Sequence, residues 1–139
     1  MTKVDFYVLP KDGGINVMSA VSRIAEKATS RGHQIFIQVS NESDASAVQN
    51  ALWAERAESF LPNAIMGHDD GESILIGWEE PPLQYDDVMI NITGEVQGHF
   101  SRFQRLAEIV IHEEQALTAS RDAWRFFRDR GYPLAKHDL

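Results

Sequence analysis

LAEIVIHEEQALTASRDAWRFFRDRG, residues 106–131, passes almost without a break from a strand-like run to a helical period. Leu106–Ile111 is near-continuously apolar, as a strand covered on both faces is. Glu113–Gly131 reads as one helix closing the chain. Glu113 and Glu114 open it, where the positive end of the helix dipole favours anions, and Arg125, Arg128 and Arg130 crowd its last turns. Gly131 supplies a stop and Pro133 prevents a restart. At about 100° per residue, Ala116, Ala119, Ala123, Phe126 and Phe127 share one side, the expected buried face. Leu117, Arg121, Trp124 and Arg128 form a second stripe roughly 130° away. That stripe sets a large aromatic between two guanidiniums on the face expected to meet water. Such a surface suits a peptide bearing carboxylates and an apolar anchor. Taken alone, the helix is read sooner as a solvated charge run, with Trp124 folded over a neighbouring loop.

Upstream, the same alternation of strand and helix recurs. Val4–Leu9 (VDFYVL) is a β-prone run ended by Pro10 and Asp12-Gly13-Gly14. Asn16 can cap a helix over Val17–Ser30, with Met18, Val21, Ile24, Ala25 and Ala28 on one side. Gln34–Val39 is a second strand, and Ser40 or Asn41 caps a helix over Glu42–Trp53. Ser73–Trp78 and Asp87–Ile92 are further strands, with residues 54–72 and 79–86 as connections. Trp53, Phe60, Leu61 and Ile65 stand out as apolar residues in or beside the first of these connections. Residues 93–103 read as a loop with room for one helical turn. Five strands interleaved with helices imply a mostly parallel sheet covered on both faces, a three-layer Rossmann-like α/β sandwich. A chain of 139 residues without repeat, linker or low-complexity tract is expected to form a single domain over 1–139.

Composition narrows the function. The chain is 43% hydrophobic and 24% charged, ordinary for a soluble globule, and its net charge is −8. An acidic protein is a poor non-specific ligand for nucleic acid, which argues against a direct single-strand binder. The charge is uneven. Residues 117–136 hold Arg121, Arg125, Arg128, Arg130 and Lys136 against Asp122 and Asp129, a local +3 that leaves −11 elsewhere. A basic patch on an acidic molecule points to a small acidic partner. There is no cysteine, so thiol chemistry and disulfides are excluded. The N-terminus lacks the plan of a signal peptide, and no run approaches the ~18 apolar residues of a spanning helix. A soluble, cytoplasmic protein is expected.

Catalytic patterns are missing. The first strand–helix turn, residues 10–16, lacks G-x-G-x-x-G, and Asp12 would repel a phosphate there. No G-x-x-x-x-G-K-[ST] or G-x-S-x-G occurs. His33, His68, His99, His112 and His137 are scattered without ligand spacing. His68-Asp69-Asp70-Gly71 reads as a solvated turn sooner than a cation loop. Asp86 and Asp87 precede a strand, where carboxylates can hold a metal, but no third carboxylate stands at a telling spacing. No cofactor is expected. The enzymatic alternative is a degenerate nucleotide-binding or metal-dependent phosphoryl-transfer enzyme using Asp12, Asp86 or Asp87.

Residues 51–63, ALWAERAESFLPN, carry two aromatics in or beside a loop, where aromatics either pack home or meet a partner. This segment resembles the one that marks the chi subunit of bacterial DNA polymerase III holoenzyme. VDFYVLP at the start, SILIGW in the middle and RDAWRFFRDRGYPL near the end are similar to that family too, in one register over the whole chain. The resemblance implies a Rossmann-like fold and no catalytic activity of its own. It implies a heterodimer with the psi subunit, which tethers chi to the clamp loader, and a grip on the acidic C-terminal tail of single-stranded-DNA-binding protein. The family's psi-side aromatic pair falls on Trp53 and Phe60, a surface that an alternative helicase-like partner also uses. Its tail site falls on Arg121, Trp124 and Arg125 of the last helix, with Val110 from the preceding strand. Here a lysine of the family's pocket is replaced by Leu117 and its tyrosine by Trp124, and Arg128, one turn from Trp124, is placed to substitute for the lost cation.

Overall fold

Asn16 accepts from the Ser19 amide at 2.9 Å and Asn41 from the Asp44 amide at 2.8 Å, so both early helices start on an Asn cap. They are α1 (Val17–Ser30) and α2 (Glu42–Glu55). The strands are β1 (Lys3–Val8), β2 (Ile35–Gln38), β3 (Asn63–Ile65), β4 (Ile74–Gly77), β5 (Val88–Asn91), β6 (Arg105–Val110) and β7 (Leu134–Asp138); α3 spans Glu114–Asp129. The molecule is described here from a computed structural model covering residues 1–55, 61–68 and 71–139. Phe60 of the sequence analysis, and Asp69 and Asp70, lie outside the described residues.

All seven strands pair in parallel, in the order β3-β4-β2-β5-β6-β1-β7. Side chains alternate across the sheet, and each face has its own core. Ile35, Ile37, Ile74, Ile76, Val88 and Ile90 pack toward the layer of α1 and α2. Phe36, Leu75, Met89, Leu106, Val4 and Phe6 pack toward α3, whose Phe127 is fully buried among them. The result is the three-layer Rossmann-like sandwich expected from the sequence.

Two expectations are corrected. The final helix does not close the chain. It ends on a capped turn: the Gly131 amide donates to Arg128 and the Tyr132 amide to Phe127, with Gly131 at φ +80°. Tyr132 then packs edge-on against Phe127, and residues 134–138 run on as β7 beside β1. The other correction is at residues 63–65, which pair with β4 as an edge strand and bury Ala64 instead of forming open loop. Among the described residues the strands therefore number seven, not five.

β7 decides what α3 faces. In the register, Phe6 stands opposite Lys136 and Val8 opposite Asp138, while Asp5 and Tyr7 stand opposite Ala135 and His137. Lys136 and Asp138 are thus delivered to the α3 side and His137 to the α1 side. Of the α3 stripe expected to look into water, Leu117 and Trp124 are partly covered beside a sheet edge, while Arg121 and Arg128 are exposed.

Candidate functional site

Leu117, Ser120, Arg121 and Trp124 of α3, with Phe6 and Val8 of β1 and Lys136 and Asp138 of β7, border a groove of about 390 Å³. Trp124 is half-buried. Its ring lies 5.3 Å from that of Phe6, tilted by 60°, so it rests on the core while also bordering the groove. Leu117 packs onto the same core and supplies an apolar wall. Arg121 is exposed and makes no ion pair among the described residues. Lys136 stands across the groove, 3.5 Å from Asp138, both largely exposed. Cations on two sides of an apolar notch can receive carboxylates and a ring at once.

The site residues expected from the sequence divide. Arg121 and Trp124 come together in the groove. Val110 ends β6 opposite Val8 and is 6% exposed. It borders an adjoining depression of about 400 Å³ that shares Phe6 and Ser120 with the groove. Arg125 and Arg128 are exposed and bonded to Asp122 at 3.0 Å and to Asp129 at 3.1 Å, and neither borders the groove. Lys136 was counted in the sequence only as part of a basic tract. The signal that places it is the alternation Leu134, Lys136, Asp138 after Pro133, too short and too polar to stand out as a strand.

Beside Val110 lies a buried polar row. Gln38, Asn91 and Glu108 are neighbours in register at the carboxyl ends of β2, β5 and β6. Asn91 Nδ2 donates to Glu108 at 3.0 Å and to the Glu95 carbonyl at 2.8 Å, while its Oδ1 accepts from Thr93. Burial pushes the Glu108 carboxyl up to about 7, and the Asn91 hydrogen bond only partly counters it. His99 Nε2 stands 2.8 Å from Gln38 Oε1, and burial lowers the pKa of this imidazole.

Trp53 lies on α2, against the opposite face of the sheet from α3. It is 49% exposed, one of the few large apolar side chains so placed. α2 contacts β3 and β4, whereas α3 contacts β6 and β7, so Trp53 and Trp124 mark different faces and different ends of the sandwich.

Of the three enzymatic candidates, Asp86 is exposed, and Asp12 and Asp87 are engaged elsewhere. Asp12 Oδ1 accepts from the Gly14 amide at 2.9 Å, so a carboxylate occupies the turn where a phosphate would sit. Asp87 accepts from the Gln34 amide and lies 3.1 Å from His33 Nδ1. Among the described residues no three His, Asp or Glu side chains converge as a metal site, and no helix is long and apolar enough to cross a membrane.

Residues 1–135 match the family model described as DNA polymerase III chi subunit, HolC. A DNA polymerase III subunit chi from Pseudomonas aeruginosa is 37% identical over 139 residues, covering all of this chain and 98% of the relative. The subunit chi of Escherichia coli K12 is 26% identical over 141 residues, covering 96% of each chain. The crystal structure of T4 UvsW superposes with a TM-score of 0.69 at 7% identity, over 99% of this chain and 41% of that one, a likeness of fold alone.

Proposed function

Because the chain belongs to the DNA polymerase III chi subunit family, we propose that it is a non-catalytic connector in DNA replication, joining the clamp loader to coated single-stranded DNA. In this reading the α3 groove takes the acidic C-terminal tail of single-stranded-DNA-binding protein, and the Trp53 surface takes the psi subunit or a helicase-like competitor. The observation that carries the reading is the groove itself, a half-buried tryptophan between Arg121, which makes no ion pair among the described residues, and Lys136, whose pair with Asp138 is exposed, on a protein of net charge −8.

The tail's aspartates pair with Arg121 and Lys136, and its terminal phenylalanine enters the notch beside Trp124 and Leu117, toward Val110. Lys136 supplies the cation that Leu117 withholds. Arg125 and Arg128, already paired to aspartates on the outer side, act at longer range by steering encounter. Phe60 joins Trp53 in the psi contact. A short peptide buries little surface, so binding of about micromolar strength is expected, raised by avidity when several tails are presented together.

Titration of a labelled acidic peptide ending in Phe tests this. Arg121→Ala and Trp124→Ala each weaken binding about tenfold or more, as loss of a charge-assisted contact or an aromatic anchor does. Circular dichroism unchanged in both variants separates this result from misfolding. Titration curves identical to the parent's would remove the assignment.

A further inference from the structure

Lys3, Asp5 and Tyr7 project from β1 on the side opposite the groove, toward α1. With Lys27 of α1, Arg31 just past its end, Arg105 of β6, and His33 and His137, they enclose a basin of about 210 Å³. It lies at the amino ends of β1 and β6, beneath the end of α1. Asp5 is 4% exposed and is the buried anion of the cluster. Arg105 donates to it at 3.1 Å, His137 lies 3.0 Å away and the Lys3 ammonium 4.0 Å away. Burial raises its pKa, but the His137 and Arg105 hydrogen bonds and the Lys3 charge outweigh burial and hold it below the usual carboxylate range.

Positive charge is left over. Lys3, Lys27, Arg31 and Arg105 against Asp5 leave +3, or +2 when Asp87, the partner of His33, is counted. Lys27 and Arg31, one turn apart, have no carboxylate partner among the described residues. Nor are they needed to cap α1. The Ala28 carbonyl accepts from the Arg31 and His33 amides, Thr29 from Gly32, Ala25 from the Thr29 hydroxyl and Lys27 from the Ser30 hydroxyl. The rest of the basin is firm. Tyr7 stacks on His137 with centroids 4.7 Å apart, and burial together with Asp5 raises the phenol's pKa, so it remains a hydroxyl donor.

We propose that this basin binds a phosphate-class dianion, free or as the terminal phosphate of a small ester. A concave surplus of cations on an otherwise acidic chain concentrates anions locally. The Arg31 guanidinium forks onto phosphate oxygens while the Lys27 ammonium adds a point charge beside it. The basin is smaller than the several hundred Å³ of a typical organic-ligand cleft, which favours a compact anion. It is separate from the tail groove, because β1 and β7 send alternate side chains to the two sites.

Amide NMR of the full chain, titrated with inorganic phosphate, pyrophosphate and AMP at constant ionic strength against chloride, tests the proposal. Saturable shifts are expected at Tyr7, Ala28, Arg31 and His137. The double variant Lys27→Ala, Arg31→Ala should weaken them about tenfold or more through two lost charge-assisted contacts. Both residues are exposed, so the fold is retained, and tail-peptide affinity should stay at the parent value. Tighter binding of AMP than of phosphate assigns a phosphate ester; the reverse assigns the free anion. Shifts that rise linearly and equally with chloride, or that persist unchanged in the double variant, overturn it.

Discussion

Trp124 sits half in the core because Phe6 and the β7 edge offer it a partial wall, not a pocket. Its exposed edge costs little, since one apolar edge on a surface is ordinary, yet it keeps contact area available. Replacing it with alanine should cost only about 1–2 kcal/mol of stability, below the ~3–5 kcal/mol of a fully buried aromatic. Phe127, fully buried among the rings of Phe6, Phe100 and Tyr132, belongs in that higher range, and urea denaturation of the two variants tests the contrast. Glu108 carries a pH signature. Its folded pKa of about 7 stands above its reference value of 4.5. The stability it contributes is therefore complete below about pH 4.5 and is lost as pH rises toward and through 7. Glu108→Gln keeps an oxygen for Asn91 and removes the titration. At about pH 8 it should gain on the order of 1–3 kcal/mol over the parent, and at about pH 5 close to nothing; equal melting temperatures at pH 8 would contradict this. Asp5 has the opposite sign: held below 3.8, it stabilises above that value and gives its stability up as pH falls through its lowered pKa.

Elements differ in how plainly the sequence announces them. Val4–Leu9, Gln34–Val39, Ser73–Trp78, Asp87–Ile92 and Leu106–Ile111 are β-branched and apolar because both of their faces are covered, and each matches an observed strand to within a residue at either end. β3 and β7 are edge strands. Short length and charged residues such as Lys136 and Asp138 protect an edge from unwanted pairing, and the same features hide it from a hydrophobicity pattern. Missing β7 had a consequence for the site. Without β7, the Leu117–Arg121–Trp124 stripe has no opposite wall, and Lys136 has no place beside it. Arg121 and Trp124 were legible from helical spacing; their groove was not, because its far wall comes from a strand with no apolar signature. The turn that launches β7 depends on Gly131 at φ +80°. Gly131→Ala should cost about 1 kcal/mol, with a matching drop in melting temperature and the greatest gain in amide exchange at β7.

Across the whole molecule, one sheet keeps the Trp53 and Trp124 surfaces apart. α2 with Trp53 covers one face near β3 and β4, and α3 with Trp124 covers the other near β6 and β7. The uneven charge follows the same division, since the basic tract of residues 117–136 lies on α3 and β7 while the remainder is acidic. Tail binding should therefore weaken with added salt, mainly through a slower on-rate. If the two surfaces take different partners, as proposed, the sheet between them separates the two contacts. The direct test is to titrate tail peptide and psi separately into Trp124→Ala and Trp53→Ala. The account predicts that Trp124→Ala loses the tail and keeps psi, and that Trp53→Ala loses psi and keeps the tail. Loss of both partners in either variant, with the fold intact, would contradict it.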